Sequence, residues 1–450
     1  MTRRASFGVL LVFVLAVDSA VAQNWSFDAR KIGMGSPSGG ENLASKMIEE
    51  ERQYRSIVLP FGLIQVFRDF DRIKPDLDND EFDLVRMVEY AAAPLHYTIG
   101  RDTSETKADE FINDISEGEL SRDLNAYKGF MPVNQPPAAG LAAPNWGRTF
   151  RIRTSSDGSF HGVYVGGGPY VYMRTASVID ERLTAILTPG PPMYVPLSQL
   201  PAQNNTRGEL ALAVAGGYRA RLPWPSGVGP TGRDGLYLAA NYNYLHGFRY
   251  EELDMQLRID TDRAGLVTVN PLLGPPLFVT RTSAESGRGM AIDVGIGAVV
   301  DNWEFGFGAN GIANRINWND AERTPYFHAN LIAGDGDLTE GPAIPIGDLR
   351  VELPIDYRAN VGYDVGGWAA MAEFGRGYQG KSFHGGGELR LGLIDVRGGG
   401  VYSREMWNPA GGVGLNMTPG LSLDVAVYSN SANVERKRNP AVAVSLRFNQ

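Results

Sequence analysis

Between Ala291 and Asn310 the chain alternates with period two on both sides of a two-residue turn. Ile292, Val294, Ile296, Ala298 and Val300 share one parity, while Asp293, Gly295, Gly297 and Val299 share the other. After Asp301-Asn302 come Trp303, Phe305, Phe307 and Ala309 against Glu304, Gly306, Gly308 and Asn310. Successive strand side chains point to opposite faces, so this spacing predicts a hairpin with one oily face and one small or polar face. A turn at Asp301-Asn302 pairs Val300 with Trp303, Ala298 with Phe305 and Ile296 with Phe307, and sets Asp293 opposite Asn310. A solvated sheet surface usually carries Lys, Thr and Glu. A row of glycines behind an aromatic face fits better a wall with lipid outside and a crowded or solvated interior.

The same logic recurs. Val361, Tyr363 and Val365 lead through Gly366-Gly367 into Trp368, Ala370, Ala372 and Phe374, in the register that sets Val365 against Trp368. Leu236 to Tyr244, Val413 to Met417, Leu421 to Val427 and Val442 to Phe448 alternate likewise. From Trp146 onward nearly everything reads as strand and turn, giving about 14 strands with Asp348 to Val365 counted as one or two. Tight turns alternate with longer polar connections, such as Gly375 to Gly385, Ser403 to Ala410 and Ser429 to Pro440. The expected fold is all-β: a transmembrane antiparallel barrel over residues 141–450. A soluble β-sandwich also alternates, but it explains neither the glycine-lined second face nor spans of about 9–11 residues.

The N-terminal part differs. Arg3 and Arg4, the apolar run Phe7 to Val17 and Ala20-Val21-Ala22 before Gln23 have the form of a secretory signal peptide over residues 1–22. No Cys follows that site, so a lipid-anchored form is not expected. Residues 23–140 are mixed, with helix-like spacing over Glu41 to Arg55 and Asp80 to Ala93 and an acidic stretch over Ser104 to Tyr127. Ile57 to Phe67 is apolar but broken by Pro60 and Gly62, too short to cross a bilayer as a helix and suited to packing against or inside a barrel. Met131 to Asn145, with four prolines, reads as a linker. This region is expected to be a lumen plug or a periplasmic attachment.

Composition adds limits. The 450 residues include 55 Gly, 19 Tyr, 19 Phe and 7 Trp, with no Cys, which leaves no disulfide or thiolate site. Mean hydropathy is −0.19, as a lipid-facing band diluted by loops and lumen residues would give. With 42 basic against 51 acidic residues, nucleic acid is not an expected partner.

A search for chemistry returns little. His96, His161, His246, His328 and His384 stand in no metal-ligand spacing. Asp76, Asp78 and Asp80 open like a calcium loop, but Glu81 and Met87 occupy positions that need Gly and Glu. Asp335-Gly336-Asp337 with Glu340 reads as a solvated loop. The triplets at Gly166, Gly385 and Gly398 fit tight curvature and close backbone approach rather than phosphate binding. No Ser–His–carboxylate set stands out. No cofactor and no enzymatic activity are expected. The polar residues that parity places inside are Asp293, Glu304, Asn310, Asp364, Glu373, Glu388, Arg390 and Asp424.

Phe27-Asp28-Ala29-Arg30-Lys31-Ile32-Gly33-Met34-Gly35 resembles the "ARxxGMG" opening of the FadL-like outer-membrane barrel superfamily, which includes long-chain fatty acid transporters, PorV-type secretion barrels and TraF-like barrels. Trp407-Asn408-Pro409-Ala410-Gly411 is similar to the "NPAG" phrase of that group, displaced here towards the C-terminus. The resemblance implies a 14-stranded barrel whose N-terminal segment enters the lumen, with Arg30, Gly33, Met34 and Gly35 as plug-associated structure. The length of Glu41 to Gln135 is closer to the TraF-like members than to the short hatch of the transporters, so ligand residues do not transfer. The expected role is passive transport of a hydrophobic or small solute across the outer membrane of a Gram-negative-type bacterium, with membrane lipid as the surrounding partner. A non-transporting scaffold for a secretion-system partner and a soluble secreted β-protein are the alternatives.

Overall fold

The computed structural model describes residues 29–35, 42–51, 56–60, 97–98, 138–142, 146–180, 182, 197–223, 232–263, 267–268, 277–328, 339–377, 380–403, 406–418, 420–430 and 439–449. Two helices, α1 (Ala29–Gly33) and α2 (Leu43–Glu51), accompany the strands β1 (Ser56–Pro60), β2 (Tyr97–Thr98), β3 (Ala138–Ala142), β4 (Trp146–Thr154), β5 (Phe160–Ile179), β6 (Gln199–Leu222) and β7 (Gly235–Thr261). Then follow β8 (Val267–Thr268), β9 (Leu277–Ala284), β10 (Ser286–Val300), β11 (Trp303–His328), β12 (Thr339–Glu340), β13 (Ile344–Glu352) and β14 (Asp356–Val365). The chain continues through β15 (Trp368–Gly377), β16 (Gly380–Arg390), β17 (Ile394–Ser403), β18 (Met406–Thr418), β19 (Leu421–Asn430) and β20 (Asn439–Asn449).

Among the described residues these 20 segments form one antiparallel sheet. The wall runs β4–β5–β6–β7, then to β10 with β9 above it, then β11, then β14 with β13 above it. From β14 each strand pairs with the next as far as β20, and β1 pairs with β20 from Ser56↔Asn449 to Pro60↔Ser445. Several single wall strands are therefore broken in two. Glu285 alone separates β9 from β10. Pro354, which has no N–H to give a ladder, lies between β13 and β14, so the segment left open as one strand or two is one wall position in two pieces.

The hairpin register holds near its turn: Val300 pairs with Trp303, Ala298 with Phe305, Ile296 with Phe307 and glycine with glycine between them. Asp301 takes φ +53°, a left-handed turn conformation that Asp tolerates. The Gly366-Gly367 hairpin likewise pairs Val365 with Trp368 and Tyr363 with Ala370. The pairing expected between Asp293 and Asn310 does not form. One extra residue enters β11 there, since Val294 pairs with Ala309 but Ile292 with Ile312, and Gly311 absorbs the bulge at φ +70°. Asp293 is left free to accept the Gly311 N–H at 2.7 Å.

Two expected loops are also corrected. Strands run on to Gly377 and restart at Gly380, and they run to Ser403 and restart at Met406. Those stretches read as polar loops because Ser382 and His384, both fully buried, face inward, where the wall needs no apolar side chain. In the N-terminal region the helix expected over Glu41 to Arg55 is α2. Ser56–Pro60 and Ala138–Ala142 are sheet strands rather than packing segment or linker. The helix-like runs 80–93 and 104–127 lie outside the described residues.

The outer face is apolar. Phe307 is 51 % exposed, beside exposed Ile296, Trp303, Phe305, Trp368, Phe374, Val396, Val413 and Val427. Trp303, Tyr363 and Trp368 cluster near the tight turns, with centroids 4.7 and 5.1 Å apart. Phe383, Tyr402 and Trp407 cluster at the other end of the wall. An oily band flanked by aromatic groups is the surface of a transmembrane β-barrel. Inside, towards the loop end, Tyr170, Tyr172, Leu245, Tyr250, Ile316, Trp318 and Val351 form an apolar cluster.

Candidate functional site

The inner wall near the tight turns carries α1 and α2, and the glycines explain how. In α2, Asn42 caps the helix: its Oδ1 accepts the Ser45 N–H at 2.9 Å. Leu43, Ala44, Met47 and Ile48 form one stripe, which buries against Phe160, Tyr237, Ala239 and Val299. The helix lies on the glycine face of the opening hairpin. A Cβ at Gly295 would stand 2.7 Å from the Ala44 backbone N, and one at Gly297 3.0 Å from Ile48 Cδ1. Gly306 and Gly308 make the same room for Ser45 and Asn42. Asn360 of β14 then binds both: Asn42 Nδ2 and the Ser45 hydroxyl each donate to its Oδ1 at 2.7 Å.

The other side of the lumen, β17 to β20, holds α1. Ala29 and Ile32 bury against Ala426 and Ala443, and the Ala29 N–H donates to Ser445 Oγ at 3.0 Å. The helix stops at Gly35, whose φ of +78° closes the turn, with its N–H on the Ile32 carbonyl at 2.9 Å. Gly386, Gly399 and Gly412 again supply a surface without side chains, against Met34 and Gly33. Met34 is buried. His384 Nδ1 lies 3.2 Å from the Gly35 carbonyl and donates to it in the Nδ1–H tautomer.

Arg30 reaches Glu388 with both hydrogen bonds of a fork, Nε to Oε2 at 2.7 Å and Nη2 to Oε1 at 2.9 Å. Glu388 also receives Arg397 Nε at 2.7 Å and Arg390 Nε at 2.8 Å. Arg397, fully buried, continues to Asp424 at 2.8 Å and Asp395 at 3.1 Å, and Asp424 meets Arg447 at 3.1 Å. Arg390 turns the other way, to Asp364 at 2.8 Å. Among the described residues the connected network holds four carboxylates and four arginines, and of these arginines Arg30 comes from a helix.

The residues singled out from sequence thus fall into three groups. Arg30, Asp364, Glu388, Arg390 and Asp424 share the network just described, and Gly33, Met34 and Gly35 lie on its glycine floor. Glu373 pairs instead with the buried Arg358 at 3.0 Å, which also holds Asp356 at 2.7 Å. On the α2 side, Glu304 pairs with Arg233 at 2.8 Å and Asp293 accepts Asn243 Nδ2 at 2.7 Å. Asn310, partly buried, adjoins the bulge and faces Asp356 in the ladder.

Sequence reading missed Asn42, Ser45, Asn360, Arg358, Arg397 and Arg447. Parity could have found Arg397, since Asp395 and Arg397 alternate with the exposed Ile394 and Val396. The Asn42 cap had no such signal. Among the described residues no group of three or more His, Cys, Asp and Glu is arranged to hold a metal ion.

Fold and site together define a transmembrane β-barrel with two N-terminal helices on its inner wall. No family model and no curated protein matches the chain. Similar solved structures include the toluene transporter TbuX of Ralstonia pickettii, at 11% identity over 74% of this chain and 93% of that one, with a TM-score of 0.27. A deltaS2S3 mutant of TodX, a monoaromatic hydrocarbon channel, is 11% identical over 74% of this chain and 94% of its own, with a TM-score of 0.30. The outer membrane phospholipase A of Escherichia coli is 11% identical over 54% of this chain and 79% of its own, with a TM-score of 0.23. With scores this low, what the chain does rests on its own residues.

Proposed function

We propose that the chain is an outer-membrane barrel of about 14 strands that carries a small or hydrophobic solute passively, with its N-terminal helices acting as a plug. The supporting observation is the fit of α1 and α2 to two glycine-lined seats on the inner wall, away from the lipid face. Small inner residues that serve only to admit a helix make sense where a lumen has to be closed and reopened. The charged lumen residues described above are engaged in ion pairs with one another, and we read the protein as non-enzymatic.

Proteoliposomes test this reading. The full chain should admit a small apolar fluorophore faster than empty vesicles do. Removal of residues 29–51, which leaves β1 on β20, should raise both uptake and ion conductance. The second reading, a non-transporting scaffold for a secretion machine, draws on the tight packing and neutralised charge of the same seats. Absence of uptake and conductance in both forms, with heat-modifiable migration showing folded barrels, would favour it.

A further inference from the structure

The two helices are held by different parts of the wall and by different forces. The α2 helix packs apolar side chains on β7, β10 and β11. The α1 helix lies against β17 to β20 and, through Arg30, reaches Glu388 of β16. Its backbone rests on Gly386, Gly399 and Gly412, with no wall side chain interlocked at those points.

Charge then distinguishes the states. With α1 seated, four arginines face four carboxylates in the connected network. Among the ion pairs of the described residues, removing Arg30 leaves the four carboxylates Asp364, Glu388, Asp395 and Asp424 against the three arginines Arg390, Arg397 and Arg447, so the strip loses one positive charge and keeps a surplus carboxylate. Glu388 loses the bidentate partner that spans both its oxygens, and it lies only 1% exposed. Bringing water and a permeant cation to that strip compensates the surplus, whereas an anion adds to it.

Resting on the transport reading, we propose that Arg30 sets both the closure and the ion preference of the lumen. Seated on Glu388 it neutralises the strip that runs from Asp364 on β14 to Arg447 on β20 and keeps α1 in place; withdrawn, it leaves a path along that strip that prefers cations to anions. The ligand class of the strip is a monovalent or organic cation, and the selectivity-determining pair is Arg30 with Glu388.

Planar-bilayer recording of the full chain in a KCl gradient tests this, with heat-modifiable migration confirming that each variant is folded. Arg30→Ala should raise open probability at least about tenfold, as loss of one partner of a largely buried pair shifts a two-state balance. Its reversal potential should move towards that of K⁺. Arg30→Lys, which keeps the charge, should stay closer to the parent. Adding Glu388→Gln to Arg30→Ala removes the surplus carboxylate, so the double variant should stay open and lose its cation preference. An Arg30→Ala pore without cation preference, or a double variant as cation-selective as the single one, overturns the proposal. If Arg30→Ala stays closed while removal of residues 29–51 conducts, the latch is wrong and the transport reading stands. If neither conducts, both fail.

Discussion

Gly398 and Gly399 are adjacent on β17 yet face opposite sides of the wall, which makes them a controlled pair. A Cβ at Gly398 would meet nothing within 4 Å, on the lipid side. A Cβ at Gly399 would press into the Met34 carbonyl and stand 2.6 Å from Gly35 N, so the floor beneath α1 would have to give. Backbone and not a flexible side-chain tip is in the way. The cost of such overpacking is about 1–3 kcal/mol. The same Gly→Ala change without a clash gains roughly 0.5–1 kcal/mol in a strand interior, through the lower entropy of the unfolded chain. Gly399→Ala and Gly398→Ala should therefore differ by about 2 kcal/mol or more. Thermal unfolding in detergent micelles would measure the difference. Limited proteolysis would localise it, since a displaced α1 should be cut earlier in Gly399→Ala alone. Equal melting and equal protease resistance of the two variants would refute the glycine floor.

Three other substitutions probe the remaining forces. Phe307→Arg puts a charge into the exposed apolar band and should cost about 2–4 kcal/mol in lipid, read from urea-dependent folding into vesicles; a neutral effect would deny that this face meets lipid. Arg358→Ala strips the buried partner from Asp356 and Glu373 and should cost about 3–5 kcal/mol, seen as a lower melting temperature. Asp301→Val forces a β-branched residue into φ +53° and should cost about 1–2 kcal/mol, with slower folding of the β10–β11 hairpin as its kinetic sign.

Much of the barrel was legible from period-two alternation, because lipid and lumen demand opposite residues on opposite parities. The register of the Asp301 and Gly366 hairpins followed from turn length alone. Boundaries were harder where the inner face is polar. Ser382, His384 and Asn408 look like loop residues until it is clear that a lumen strand tolerates them. The glycine rows were visible at once, but their purpose was not. Gly295, Gly297, Gly306 and Gly308 spell out a surface without side chains, and only the three-dimensional approach of Asn42, Ala44 and Ser45 shows what fills it. The bulge at Gly311 escaped notice because one inserted residue leaves the local alternation nearly intact on either side. Arg30 stood in a recognisable motif, yet its partner Glu388 lies 358 residues away. A local spacing rule does not reach that far.

The absence of cysteine allows one direct test of lipid outside and helix inside. Single cysteines introduced as Phe305→Cys, on the exposed band, and Ala44→Cys, fully buried between α2 and the hairpin, can be labelled in proteoliposomes with a membrane-impermeant maleimide and with a lipid-soluble one. The account predicts that Phe305→Cys reacts only with the lipid-soluble reagent and that Ala44→Cys resists both until the protein is unfolded. Rapid labelling of Phe305→Cys by the impermeant reagent, or of Ala44→Cys in the folded barrel, would contradict it.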